Sequence, residues 1–259
     1  MRECKYFSTV AVLAIMLGSG VAEAADVPAP ALDDSGWTFT VVPYLWGSGI
    51  EGKSGLFGFQ PQDIDVSFGD ILKNLDMAFM GVGEARNGRL SVGIDVSYAK
   101  LSTNVDTPAG ILASDIDLST STFMGTAIAG YSVLYDDSAN VDLVAGARVW
   151  SVDTSFDFNG GALGGTSASD GDTWVDPVVG AKFRANLGSD FYLAGWGLVG
   201  GFGVSSDLMW DVMAGIGYDF NDTFSVFGGY RALGVDYRKG GFVYDITQKG
   251  PMFGGVFRF

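Results

Sequence analysis

The chain has no histidine and a single cysteine in 259 residues. Basic residues are also scarce: 15 Lys and Arg stand against 30 Asp and Glu, a formal net charge of −15. Charged residues of either sign make up only 17% of the sequence. Each shortage excludes something. Without imidazole there is no Ser-His or Cys-His nucleophile pair and no histidine-ligated zinc. An acidic chain is a poor partner for nucleic acid, whose phosphates require Lys and Arg. No apolar run reaches the ~18 residues that a spanning helix needs. In quantity the chain has apolar side chains (47%), 39 glycines, and 6 Trp, 10 Tyr and 19 Phe. That composition is too apolar for disorder.

The first residues read as an address. Arg2 and Lys5 precede the apolar run 10–17, and Ala22-Glu23-Ala24 offers a small-residue cleavage site. These are the three parts of a secretory signal peptide, expected over 1–24. Cys4 lies inside it, so the exported chain is expected to carry no cysteine. Residues 25–35 (ADVPAPALDDS) hold two prolines and small or acidic residues that cannot build a core, and read as a flexible lead. Residues 36–259 read as one domain.

From Trp37 onward the apolar pattern has period two. In RLSVGIDVSY, Leu90, Val92, Ile94, Val96 and Tyr98 share one face, and Arg89, Ser91, Gly93, Asp95 and Ser97 the other. The same alternation recurs around Val141–Val149, Val175–Leu187 and Leu208–Phe220, with charges and glycines on the face opposite the apolar one. A soluble sandwich also alternates. These strands, however, are about 10 to 14 residues long, against an average of about 5 to 6 in soluble sheets and the 9 to 11 of a tilted membrane strand. Aromatics cluster near the strand ends (Trp37, Tyr98, Trp150, Trp174, Phe191, Tyr192, Trp210, Phe220, Phe224), as expected of girdles at two membrane interfaces. Outward apolar stripes this large would aggregate on a soluble protein, which argues against a secreted sugar-binding sandwich.

Connection lengths alternate as well. Short turns are expected at Asn87-Gly88, 136–140, 188–190 and Asn221-Asp222, and longer polar loops at 49–74, 102–117, 153–172 and 238–247; only 205–207 is short where a long loop is due. Short turns on one side and long loops on the other mark a closed, antiparallel, all-β transmembrane barrel. The strands number about ten (37–49, 74–86, 89–101, 119–134, 141–153, 173–187, 191–204, 208–219, 223–236 and 247–259). Eight follow if the turn at 204–208 is misread, and twelve if 56–68 pairs separately. A single helical turn fits residues 70–74.

The sequence finishes PMFGGVFRF, with Phe253, Phe257 and Phe259 on one face. This pattern resembles the assembly signal of Gram-negative outer membrane β-barrel proteins. The lead AADVPAP and the segments 70–86 and 197–222 are similar to small proteobacterial members of the opacity-protein, OmpA-barrel and OmpW-like group, of alphaproteobacterial type. The resemblance implies a place in the outer membrane, the membrane lipid and the barrel-assembly machinery as partners, and a periplasmic position for the 25–35 lead. It implies no catalytic residue.

Alternation turns a set of charges inward: Asp76, Glu84, Arg86, Asp95, Asp142, Arg148, Asp176, Lys182, Arg184, Asp211, Arg231 and Arg258. A ten-stranded barrel is narrow, so these charges should pair. Two outcomes stay open, a salt-bridged closed interior and a thin polar channel for small solutes or ions. No catalytic group, cofactor or metal site is expected. The pairs Asp63/Asp65, Asp115/Asp117 and Asp170/Asp172 lack the spacing of a calcium loop. The acidic loops also allow a surface-binding or adhesin role on the same barrel.

Overall fold

The computed structural model describes residues 36–107, 112–136 and 138–259. The signal peptide and lead expected over 1–35 lie outside the described residues. Twelve strands and one short helix follow in chain order: β1 Trp37–Trp46, β2 Gly49–Gly55, β3 Gln62–Val66, α1 Phe68–Lys73, β4 Leu75–Asn87, β5 Leu90–Asp106, β6 Asp115–Tyr135, β7 Ala139–Asn159, β8 Thr166–Gly188, β9 Phe191–Gly200, β10 Leu208–Asp219, β11 Phe224–Lys239 and β12 Phe242–Arg258.

From β4 onward every strand pairs antiparallel with the next, and β1 closes the ring by pairing with both β4 and β12. At the closing seam Phe39 and Phe259 exchange backbone hydrogen bonds of 2.9 and 2.8 Å. β2 follows β1 along the same edge of β12, from Gly49↔Lys249 to Gly55↔Val243. β1 and β2 thus act as one strand broken at Gly47-Ser48, and the closed wall has ten members. β3 folds back on β2 outside that count. The segment 56–68 therefore does pair, but beyond the wall.

The parity read from the sequence holds in the membrane part of the wall. Outward-facing Val41, Leu45, Val92, Ile94, Leu143, Val175, Val212, Ile216 and Phe253 are all exposed. A continuous apolar surface of this kind is stable only against lipid. Inward-facing side chains of the same strands are buried or partly buried.

Three expectations need correction. The segments 153–172 and 238–247 are largely strand, not loop, and so are both ends of 102–117: β5 pairs β6 as far as Asp106↔Asp115, β7 pairs β8 as far as Phe158↔Thr166, and β11 pairs β12 as far as Lys239↔Phe242. Above the lipid a ladder needs only its backbone bonds, so the apolar alternation fades while the strand continues. The helical turn spans Phe68–Lys73 with Ser67 as its N-cap, and Asn74 follows it. Of the expected girdle, Trp150, Trp174 and Tyr192 are 1–4% exposed and point inward. Trp150 shares parity with Arg148, so alternation outranks nearness to a strand end.

If the outward stripe faces lipid, Ile94→Arg should lower unfolding stability in lipid vesicles by about 2–4 kcal/mol, the range for a cation near the bilayer midplane. Denaturant titration followed by tryptophan fluorescence measures it; an unchanged midpoint would contradict a lipid-facing Ile94.

Candidate functional site

The interior has three charge clusters and an aromatic layer. The central cluster is built on Asp211 of β10. Its Oδ2 accepts from Arg148 Nη2 (2.6 Å) and Arg231 Nη2 (2.7 Å), and its Oδ1 from Arg231 Nε (3.1 Å) and Trp196 Nε1 (3.0 Å). Arg231 reaches on to Asp95 Oδ2 (2.7 Å) and Tyr44 Oη (2.9 Å), and Tyr44 donates to Asp95 Oδ1 (2.8 Å). Arg148 Nε donates to Thr126 Oγ1 (2.7 Å). The side chains of Arg148, Arg231 and Asp211 are 0% exposed. Two arginines and two aspartates cancel, and seven strands contribute, so the bonds tie opposite walls together.

A second cluster lies toward the short-turn end. Arg86 pairs with Asp142 and with Glu84 (3.0 Å), and Lys182 pairs with Glu84 and with Asp142 (3.3 Å). Ser132 Oγ donates to Asp142 Oδ1 (2.5 Å). In the third cluster Asp219 receives Arg184 (2.6 Å) and Arg258 (2.9 Å). The Arg184 guanidinium also lies 3.4 Å from the Tyr192 ring centroid, a cation–π contact. Gly217 makes room for that ring: a Cβ there would come within 2.0 Å of it. A cavity of about 410 Å³ separates the central cluster from the lower two. Val42, Val82, Ile128, Met213, Phe227 and Val256 form its sides.

Above the central cluster the interior is aromatic. Trp174 stacks on Tyr237 at 3.9 Å and on Trp150 at 5.9 Å, and meets Phe242 and Tyr244 at 6.3 and 5.9 Å. Trp174 Nε1 donates to Ser206 Oγ, whose hydroxyl in turn donates to Asp176. The layer sits directly on the charges below, with Arg231 4.9 Å from the Trp46 ring and Arg148 5.7 Å from that of Trp150. Three buried donors in this region have no hydrogen-bond partner among the described residues: Trp46 Nε1, Trp150 Nε1 and Arg148 Nη1.

The residues expected to point inward thus fall into separate places. Arg148, Asp211, Arg231 and Asp95 meet in one cluster, Glu84, Arg86, Asp142 and Lys182 in another, and Arg184 and Arg258 in the third. Asp176 is buried but is held by the Ser206 amide (2.8 Å) and hydroxyl (2.6 Å) rather than by a cation among the described residues. Asp76 departs from the expectation. A register shift between Leu75 and Met77 breaks the alternation there, and Asp76 is exposed, accepting from Ser102 Oγ at 2.6 Å. Asp219, the acid of the third cluster, lies on the inward face that alternation gives it together with Asp211, but outside the expected set of paired charges. Tyr44, Thr126 and Trp196 were missed because uncharged residues give no pairing signal.

Phe253, Phe257 and Phe259 face outward and are exposed, with the Phe257 ring 5.2 Å from that of Phe224. At the outer end, Asn104 and Asn159 each donate to both Asp115 and Asp117. The Asn104 amide, and then that of Asn159, hold the Asp117 carboxyl below the usual carboxylate range. These oxygens are occupied by amide protons.

No protein-family model matches the chain, and comparison with curated proteins finds no match. Among solved structures it is similar to the outer membrane protease OmpT from Escherichia coli, with a TM-score of 0.59 and 10% identity over 86% of this chain and 97% of that one. The translocator domain of autotransporter NalP from Neisseria meningitidis gives 0.47 and 16% identity over 88% and 91%. Ail, the attachment invasion locus protein of Yersinia pestis, gives 0.33 and 13% over 86% and 99%. At 10% identity the likeness to OmpT is one of fold, and that fold is the small outer membrane β-barrel.

Asp211→Ala would leave two fully buried guanidiniums facing each other. It should cost about 3–5 kcal/mol, the loss seen when one partner of a buried pair is removed. Arg258→Met, at a partly exposed pair, should cost clearly less. Urea unfolding in vesicles compares the two; equal, small losses would mean that the central cluster is hydrated.

Proposed function

We propose that this protein is a non-enzymatic structural barrel of the outer membrane whose interior is closed to solutes. One observation carries this: Arg148, Asp211 and Arg231 are 0% exposed at mid-barrel and lie directly under Trp46 and the stacked Trp150 and Trp174. Charges lining a conducting path keep water or mobile ions as partners. Here they are shielded from solvent, and all of their polar side-chain atoms except Arg148 Nη1 are hydrogen-bonded among the described residues. The absence of histidine supports a non-enzymatic role, since it removes the usual general base.

In planar bilayers the purified wild-type protein should give no stepwise conductance. Steady ohmic steps from it would overturn the closed interior in favour of a small-solute pore.

The route to the membrane belongs to the same proposal. Residues 1–24 act as the export signal and are removed, 25–35 remain as a periplasmic lead, and the outward Phe253, Phe257 and Phe259 are read by the barrel-assembly machinery. Protein from outer membranes should have a mass lacking residues 1–24. Phe259→Ala should slow the appearance of the heat-modifiable form in pulse-chase labelling several-fold, with final stability little changed. Wild-type assembly kinetics in that variant would remove Phe259 from the signal.

A further inference from the structure

The wall is breached along one seam. β1 and β4 pair from Trp37↔Asn87 only as far as Pro43↔Gly81. Beyond that point β4 pairs with β5 alone among the described residues, while β1 and then β2 follow β12. Pro43 has no N–H to carry the ladder further. Leu45 and Phe79 stand about eight residues from the short-turn end on their strands, in the upper part of the roughly 25 Å apolar band. Backbone left unpaired at that depth must be covered. α1 stands over the gap, with the Phe68 ring 3.4–3.5 Å from where a Cβ on Gly47 would lie.

A cavity of about 220 Å³ passes through this gap. On the lipid side its lining includes the exposed Leu45, Leu72 and Phe79. On the inside it reaches Met80, Trp46 and Trp150. A second, independent observation lies at the inner end. The indole N–H groups of Trp46 and Trp150 have no partner among the described residues although the two side chains are 6% and 1% exposed. Indole nitrogen only donates, and a buried donor left unpaired is costly. Whatever enters must therefore bring an acceptor. Arg148 lines the larger cavity rather than this one, but its guanidinium lies 5.7 Å from the Trp150 ring with Nη1 unpartnered among the described residues, which favours an anionic acceptor.

We infer that this breach is a binding site for a long-chain carboxylic acid taken from the surrounding membrane. Its chain lies between β1 and β4 under α1, and its carboxylate accepts from Trp46 and Trp150. The cavity lies below the range of drug-sized pockets, which suits one acyl chain rather than a two-chain lipid. The site does not depend on whether the barrel conducts solutes, so the bilayer recordings and the binding measurement fail independently.

Equilibrium binding of radiolabelled palmitate to the full chain in maltoside detergent tests it. The wild type should bind saturably, at one site per barrel. Ala78→Trp, which fills the passage from the wall, should abolish binding, and Leu72→Trp on α1 gives a second block should the first variant fail to show heat-modifiable mobility. The double variant Trp46→Phe/Trp150→Phe keeps the rings and loses both donors. It should weaken palmitate at least tenfold while leaving the binding of hexadecane, which has no acceptor, unchanged. Absence of saturable binding by the wild type, or undiminished binding by a folded blocked variant, overturns the site. Undiminished palmitate binding by the double Phe variant overturns the role given to the indoles.

Discussion

The structure depends on one carboxylate, Asp211, held between two arginines at a depth where water is excluded. An ion in that position is tolerable only when its charge is cancelled and its oxygens are hydrogen-bonded by the groups around it. Asp211 receives four hydrogen bonds, and Arg231 extends the set to Asp95 and Tyr44. Because the participants come from β1, β5, β6, β7, β9, β10 and β11, the network fixes the distance between opposite walls. The aromatic layer rests on the guanidinium faces, so its height and tilt follow from the same bonds.

The two halves of the interior solve the narrow-barrel problem differently. Toward the outer side, bulk fills the space: Trp46, Trp150, Trp174, Tyr237 and Phe242 pack against each other and against Met209 and Leu233. Toward the short-turn side most of the charges, Asp142 excepted, keep some exposure, and several border the larger cavity, where water can share in their solvation. Tyr192 belongs to that lower half, capped by Arg184 and accommodated by Gly217. The outward face repeats one chemistry throughout, because lipid makes a single demand.

Much of this was legible in the sequence. Period two identified the strands, and its parity assigned nearly every wall residue to lipid or lumen. The ten-stranded wall followed from counting turns. Legibility ended where parity or polarity stopped carrying information. The register shift at Leu75/Met77 turned Asp76 to solvent, and no local pattern announces such a shift. The polar ladders beyond the membrane resembled loops because no lipid selects their side chains. How the inward charges group was also illegible, since parity gives a face and not a neighbour: Glu84 meets Lys182 across 98 positions of sequence. The end of the β1–β4 ladder left one trace, Pro43, which by itself also fits an ordinary strand edge.

The seam between β1 and β12 has a kinetic consequence. All other neighbours in the wall from β4 to β12 are consecutive, so their pairing is local and each hairpin can form from nearby chain. The bonds between Phe39 and Phe259 join the two ends of the described fold. That single contact dominates the contact order of the domain, and its loop entropy must be overcome before any closure enthalpy is gained. Until then the sheet has two long unpaired edges, the geometry most prone to pairing with another chain. The slowest step in making this barrel is therefore expected to be the meeting of its first and last strands, with the central ion cluster locking only after the ring is shut.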